Sequence, residues 1–255
     1  MNTVKKNNPR SGLTLIELVV VLTILVALGG IAAATLPNML NRTHVATVAT
    51  SLPTIDASIR QNIMLNSGQI GDRFDGLVTS DLTGTPAAFV NASGAYSTHS
   101  LAGSDVAALN GMGVTTLMPA DDTVENATFE GHAGLPVVLA DGLNVCTLEA
   151  TAAARILDEV FNYTPQTGAA YMVLGLGERC SLVGANEGAF FAEAPLHAVD
   201  AHSERADNAY ARVLLVVELA NAGTADAEAR YIGVGAPHPD GVQGVATHLK
   251  EWYGG

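Results

Sequence analysis

Residues 11–36 read Ser-Gly-Leu-Thr-Leu-Ile-Glu-Leu followed by VVVLTILVALGGIAAATL. From Leu13 to Leu36 that is 24 residues with a single charge. As an α-helix they span about 36 Å, enough for the hydrocarbon core of a bilayer. Lys5, Lys6 and Arg10 precede the run and no acid does. The positive-inside rule therefore keeps the N-terminus cytoplasmic and sends the C-terminal body outward. Two ordinary readings fit such a run. One is a secretory signal with Ala32, Ala33 and Ala34 as the small-residue cleavage site, and the other is a plain uncleaved anchor. Neither accounts for Glu17. A carboxylate near the bilayer centre costs about 2.5–3.5 kcal/mol on insertion scales, less near the interface, and neither a signal nor an anchor gains from that cost. Glu17 needs a partner.

The stretch Ser11-Gly12-Leu13-Thr14-Leu15-Ile16-Glu17-Leu18 resembles the prepilin cleavage and methylation motif of type IV pilins and type II secretion pseudopilins. The resemblance implies that a prepilin peptidase cuts between Gly12 and Leu13 and that the new N-terminal amine is methylated. Glu17 then becomes the fifth residue of the mature chain, where the family has its glutamate, and Leu13 stands where phenylalanine is commoner. The chemistry is coherent from the residues upward. Gly12 offers a peptide bond with no side chain to obstruct it at the membrane face. Cutting there removes the basic leader and creates an ammonium group that the Glu17 carboxylate of a neighbouring subunit can pair with. A buried carboxylate is costly alone and tolerable with its partner, so Glu17 is the expected assembly residue.

Beyond Leu36 the pattern turns amphipathic. Val45, Val48, Leu52, Ile55, Ile59 and Ile63 recur at three- and four-residue steps, one face of a helix. Asn66-Ser67-Gly68 is its stop signal. Pro37 and Pro53 each remove one helical hydrogen bond, and Gly29-Gly30 weakens the run further. The family resemblance implies the same long first helix, with a zone from Gly29 to Pro37 that loosens in filaments.

The charge is lopsided. Without the first twelve residues, nine Lys+Arg stand against 25 Asp+Glu, a balance of −16. Such a body is repelled by phosphate backbones, so nucleic acid is not an expected partner. Cys146 and Cys180 are candidates for a disulfide if the body lies outside the cytoplasm, and two buried free thiols are the other reading.

Residues 67–134 are rich in Gly, Ala, Ser, Thr and Asp with weak periodicity, and read as loops with short elements, a helix near Asp105 to Asn110 among them. Residues 135–255 are better patterned. Leu135–Ala140, Ala170–Leu176, Ala189–Ala192, Val213–Leu219 and Tyr231–Val234 read as strands, and Ala152–Phe161 as a helix. The expected class is α+β: a long N-terminal transmembrane helix packed on a C-terminal antiparallel β-sheet head, as the resemblance also implies.

Catalytic or metal chemistry is not expected. His197, Asp200, His202 and Glu204 are the densest potential ligands, but their spacing matches no helix face and no ligand motif. Asp121, Asp122 and Glu125 are candidate calcium ligands whose arrangement does not match the site that some major pseudopilins carry. Gly175-Leu176-Gly177 lacks the third glycine of a dinucleotide loop and reads as a turn. No cofactor is expected.

The domain plan is a leader at 1–12, a long helix at 13–66 (transmembrane 13–36, amphipathic 37–66) and a periplasmic head at 67–255. The expected function is a structural, non-enzymatic subunit of a type II secretion pseudopilus or type IV pilus-like filament. Its expected partners are a prepilin peptidase, other copies or related subunits, the inner-membrane assembly platform and membrane lipid. The alternative is an exported binding or enzymatic domain that merely borrows a membrane anchor.

Overall fold

The fold is that of a computed structural model, which describes residues 15–79, 82, 94–120, 135–184, 189–195, 212–219, 228–238 and 241–244, with the side chains of 28–50, 237, 238, 241 and 243 left out of the description. The chain divides into two units, Met1–Thr43 and His44–Gly255. In the first, the described element is the leading part of helix α1 (Leu15–Leu65). Helical residues continue through Gly29-Gly30, Pro37 and Pro53.

In the second unit, the outer half of α1 behaves as its spacing predicts. Leu52, Ile55 and Ile59 are buried in the hydrophobic core, and Ile63 packs against it. Val45 and Val48 lie outside the described side chains. The stop signal also holds. Ser67 takes the left-handed conformation at φ 55°, and the Gly68 N–H closes back on the Ile63 carbonyl at 2.8 Å. That bond is the 6→1 closure of a Schellman motif, with serine at the position that glycine fills without strain. Ser67→Gly is therefore expected to stabilise the unit by about 0.5–1 kcal/mol, measurable as a raised urea midpoint at unchanged m-value. Inside the turn, buried Asn62 donates from Nδ2 to the Ile70 carbonyl at 3.1 Å and accepts from Asn66 Nδ2.

The rest of this unit is α+β. Strand β1 (Arg73–Thr79) and β2 (Tyr96–Ser100) precede helix α2 (Gly103–Gly111), and β3 (Thr116–Ala120), β4 (Val137–Val138) and β5 (Asn144–Leu148) precede helix α3 (Ala150–Phe161). Then follow β6 (Tyr171–Gly175), β7 (Leu214–Glu218), β8 (Arg230–His238) and β9 (Gly241–Gln243). The strands join in the order β4-β3-β1-β6-β7-β8-β9, with β2 on β5 and β5 on β6. Strand β6 is the branch point. It pairs along its length with β7, while on its other side Met172 faces Thr147 of β5 and Gly175 faces Asp75 of β1.

Three sequence expectations need correction. The sheet is not purely antiparallel, because β1 and β3 run parallel from Arg73↔Thr116 to Thr79↔Ala120. A parallel pair needs a long crossover, and the segment holding β2 and α2 supplies it. Among the described residues of 67–134, the short elements are β1, β2, β3 and α2, of which only the helix was expected by position. Alternation failed to reveal those strands for local reasons. Strand β1 contains Asp75 and Gly76 and slips register between Asp75 and Thr79, where Leu77 sits at φ 56°. Strand β2 is mostly hydroxyl and imidazole side chains, and β3 carries Pro119 just past its last pair with β4. Ala189–Ala192 is not a strand and contributes only an isolated bridge, Val183↔Phe191. Leu135–Ala140 shrinks to the two residues of β4.

Helix α3 covers the β8–β9 end. Glu149 caps it, accepting the N–H groups of Thr151 and Ala152 at 2.8 and 3.2 Å, and those bonds hold its carboxyl below the usual range. Ala153, Ile156 and Leu157 form its buried face. A Cβ on Gly233 would lie 2.7 Å from the Phe161 ring, so glycine is what lets α3 approach the sheet.

Candidate assembly site on the first helix

The leading part of α1 buries none of its described side chains. Every residue from 15 to 27 is exposed, and the ten large apolar ones from Leu15 to Val26 are between 49% and 82% exposed. Burying ten such side chains is worth on the order of 15–30 kcal/mol, so this surface calls for lipid or neighbouring helices. Its polar groups are few and placed. The Thr23 hydroxyl donates to the Val19 carbonyl at 2.8 Å, which satisfies it within the helix. Glu17 sits in the first turn, where the positive end of the helix dipole favours a carboxylate. Gly12 and Leu13, the expected cleavage pair, lie outside the described residues. Among the described residues no helix is long and apolar enough to cross a membrane. The side chains described in the apolar half of α1 are those of 15–27, about 20 Å of helix.

The two cysteines stand as free thiols, both buried, Cys146 on β5 and Cys180 after β6. Burial pushes both thiols up, desolvation being the main cause in each. The sign follows: a thiol held protonated in the fold supports it below the ordinary thiol value, about 8.5, and that support fades as pH rises further. The burial of Tyr171, whose pKa is pushed up to about 12, adds to the same alkaline loss. Native protein at pH 8 is expected to resist iodoacetamide at both sites, with two alkylations appearing only in denaturant, as read by intact mass.

The candidate ligands His197, Asp200, His202 and Glu204, and the acids Asp121, Asp122 and Glu125, all lie outside the described residues. Among the described residues no group of three or more His, Cys, Asp or Glu side chains is placed to hold a metal ion. Gly175-Leu176-Gly177 ends β6 and turns toward Arg179 and Cys180.

What the sequence did not reveal is how the outer half of α1 is fastened to the sheet. Tyr231 on β8 donates its hydroxyl to Asp56 Oδ1 at 2.7 Å, and Arg60 Nε donates to Asp56 Oδ2 at 2.8 Å. Arg60 also stacks over the Tyr231 ring at 5.1 Å and donates from Nη2 to the Ile232 carbonyl at 2.8 Å. The register shows why that carbonyl is available: Val216 faces Gly233 while Val217 faces Tyr231, leaving Ile232 as the extra residue of a bulge. Asp56 and Arg60 are visible in sequence as a helical i, i+4 pair. Their partner on β8 is more than 170 residues away and carries no local signal.

Comparison with known proteins places one segment. Residues 7–33 match the prokaryotic N-terminal methylation motif. No curated protein and no solved structure matches the chain.

Proposed function

We infer that this chain, which carries the prepilin-type signature of the type IV pilin and pseudopilin family, is a structural subunit of a pilus-like or pseudopilus filament. The observation that carries the reading is the register of the motif on α1. The match at residues 7–33 spans Gly12, Leu13 and Glu17, and Glu17 opens a helix whose next ten residues leave their apolar side chains uncovered. In this reading a prepilin peptidase cuts after Gly12 and the subunit resides in the inner membrane through residues 13–36, head outward. An assembly platform then moves it into a filament, where neighbouring α1 helices cover one another. The chain acts as a building block rather than an enzyme, as is typical of proteins with this motif.

Intact mass and N-terminal sequencing of the membrane-extracted protein test the reading. A mature chain starting at methylated Leu13 is the expected result. A start after Ala34 would instead identify a secreted domain, and an untrimmed leader a simple anchor.

A further inference from the structure

Where α1 ends, separate stretches of the second unit meet around a small polar cleft. It has a volume of about 200 Å³ and is lined by Asn62, Asn66, Gln69, Asp72 and Ser181, among others. Backbone bonds fix its frame. The Ile70 N–H donates to the Met112 carbonyl at 2.8 Å, the Asp72 carbonyl accepts from the N–H groups of Thr115 and Thr116, and the Ser181 N–H donates to the Arg73 carbonyl at 3.1 Å. The end of α1, the turn after α2, the approach to β1 and the segment after β6 are thereby tied together.

The polar side chains are held as well, and what each can still offer can be counted. Asn62 is 2% exposed. It donates one N–H to the Ile70 carbonyl, and its Oδ1 accepts from Asn66 Nδ2. A second N–H remains on Asn62, and an Oδ1 on Asn66. Ser181 Oγ accepts the backbone N–H groups of Asp72 and Arg73 at 3.0 and 3.3 Å. Both its lone pairs are used, so its proton is what it has left to give. A Cβ at Gly71 would lie 2.9 Å from that oxygen, so glycine keeps the hydroxyl in place. Asp72 and Gln69 are exposed at the rim and add a carboxylate and a further carboxamide.

This mixture of donors and acceptors selects the ligand. An anion offers acceptors alone, would meet Asp72, and would approach a chain with nine Lys+Arg against 25 Asp+Glu beyond residue 12. A hard cation wants about six to eight oxygens and would face the Ser181 and Asn62 protons. A hydroxyl both donates and accepts, and neighbouring hydroxyls on one ring do so in pairs. The volume is below the roughly 300–1,000 Å³ of sites for drug-sized ligands, which suits a single ring. Side chains already held by the fold lose little freedom on binding it.

We propose that this cleft binds one neutral sugar ring. The Asp72 carboxylate and Asn66 Oδ1 accept from its hydroxyls, and Ser181 and Asn62 donate to them. The ring is supplied either as a free sugar or as the end of a glycan chain. The site lies within the second unit and does not depend on assembly through α1.

Saturation-transfer NMR on the full chain in a zwitterionic, sugar-free detergent tests it. The probes are glucose, galactose, mannose and N-acetylglucosamine, with glucuronate as the anionic comparison. Transfer to at least one neutral sugar is expected, with glucuronate bound at least about tenfold more weakly. Asp72→Ala is expected to weaken that binding about tenfold through loss of a charge-assisted bond, and Gln69→Ala about threefold. Both side chains are exposed, so both variants are expected to keep the parent's unfolding midpoint, and Gln69→Ala decides alone if Asp72→Ala does not. Glu159→Gln on α3 is expected to leave binding unchanged. Competition by an oligosaccharide ending in the bound sugar would identify a glycan end as the source, and its absence a free sugar; the cleft stands in either case. Failure of all four neutral sugars to bind, equal binding of glucuronate, or undiminished binding in correctly folded variants would overturn the proposal.

Discussion

Under the proposed filament role, replacing Glu17 with alanine is expected to leave cleavage after Gly12 unchanged and to lower filament yield by about a hundredfold or more. The magnitude comes from the charge left behind. In the proposed assembly the apolar part of α1 moves among other helices, where the dielectric is low and an unpaired ion is expensive. The Leu13 ammonium made by cleavage then has no carboxylate to meet, and breaking one side of a buried pair costs about 3–5 kcal/mol. Each 1.4 kcal/mol is tenfold, so the loss reaches about two to three and a half powers of ten. Glu17→Gln separates charge from shape: it keeps the side chain's length and is expected to fail nearly as badly. Processing survives because the peptidase acts on the Gly12–Leu13 bond. Sheared filaments quantified beside the N-terminal mass of the membrane fraction give both readouts. Alanine at 17 with a normal filament yield would remove the ion pair from the account.

The second large effect is in the head. Gly177→Ala is expected to destabilise the body by about 3 kcal/mol, toward the upper part of the range for overpacking. A Cβ there would lie 2.0 Å from Asp75 Oδ2 and 2.8 Å from Asp75 Cγ. Asp75 is 3% exposed and its backbone is held between Met118 and Gly175. The carboxylate therefore cannot swing aside without disturbing the branch point where β1 meets β6. For a body of this size, 3 kcal/mol lowers Tm by about 6–12 °C, measurable by thermal unfolding of membrane-extracted protein. Gly68→Ala is a useful contrast, because a Cβ at Gly68 meets nothing within 4 Å and only its φ of 94° opposes it. A Gly177→Ala variant as stable as the parent would show that Asp75 relocates freely.

Steric need of this kind is invisible along the chain. Gly175-Leu176-Gly177 reads as a turn; in the structure it is the end of β6, with the turn following at Glu178 and Arg179, and the reason for the second glycine is a carboxylate about a hundred residues earlier. The bulge at Ile232, which frees a carbonyl for Arg60, is equally silent in sequence. The missed strands β1, β2 and β3 share one cause. Each departs from strict alternation through a register slip, polar side chains or a proline, and is held by its neighbours in the sheet rather than by its own pattern.

Taken alone, the sequence determined whatever depends on spacing within one segment. That covers the apolar run with Glu17 at its head, the cleavage motif in register, the helical face of Leu52, Ile55 and Ile59, and the stop at Asn66-Ser67-Gly68. Helical periodicity, caps and charge placement are local, so they are written where they act. Only the tertiary structure decided the parallel β1–β3 pair, the branching at β6, the burial of both cysteines, and the fastening of Asp56 and Arg60 to β8. These depend on which distant segments share an edge or a cavity, and chain-distant pairing leaves no period to read.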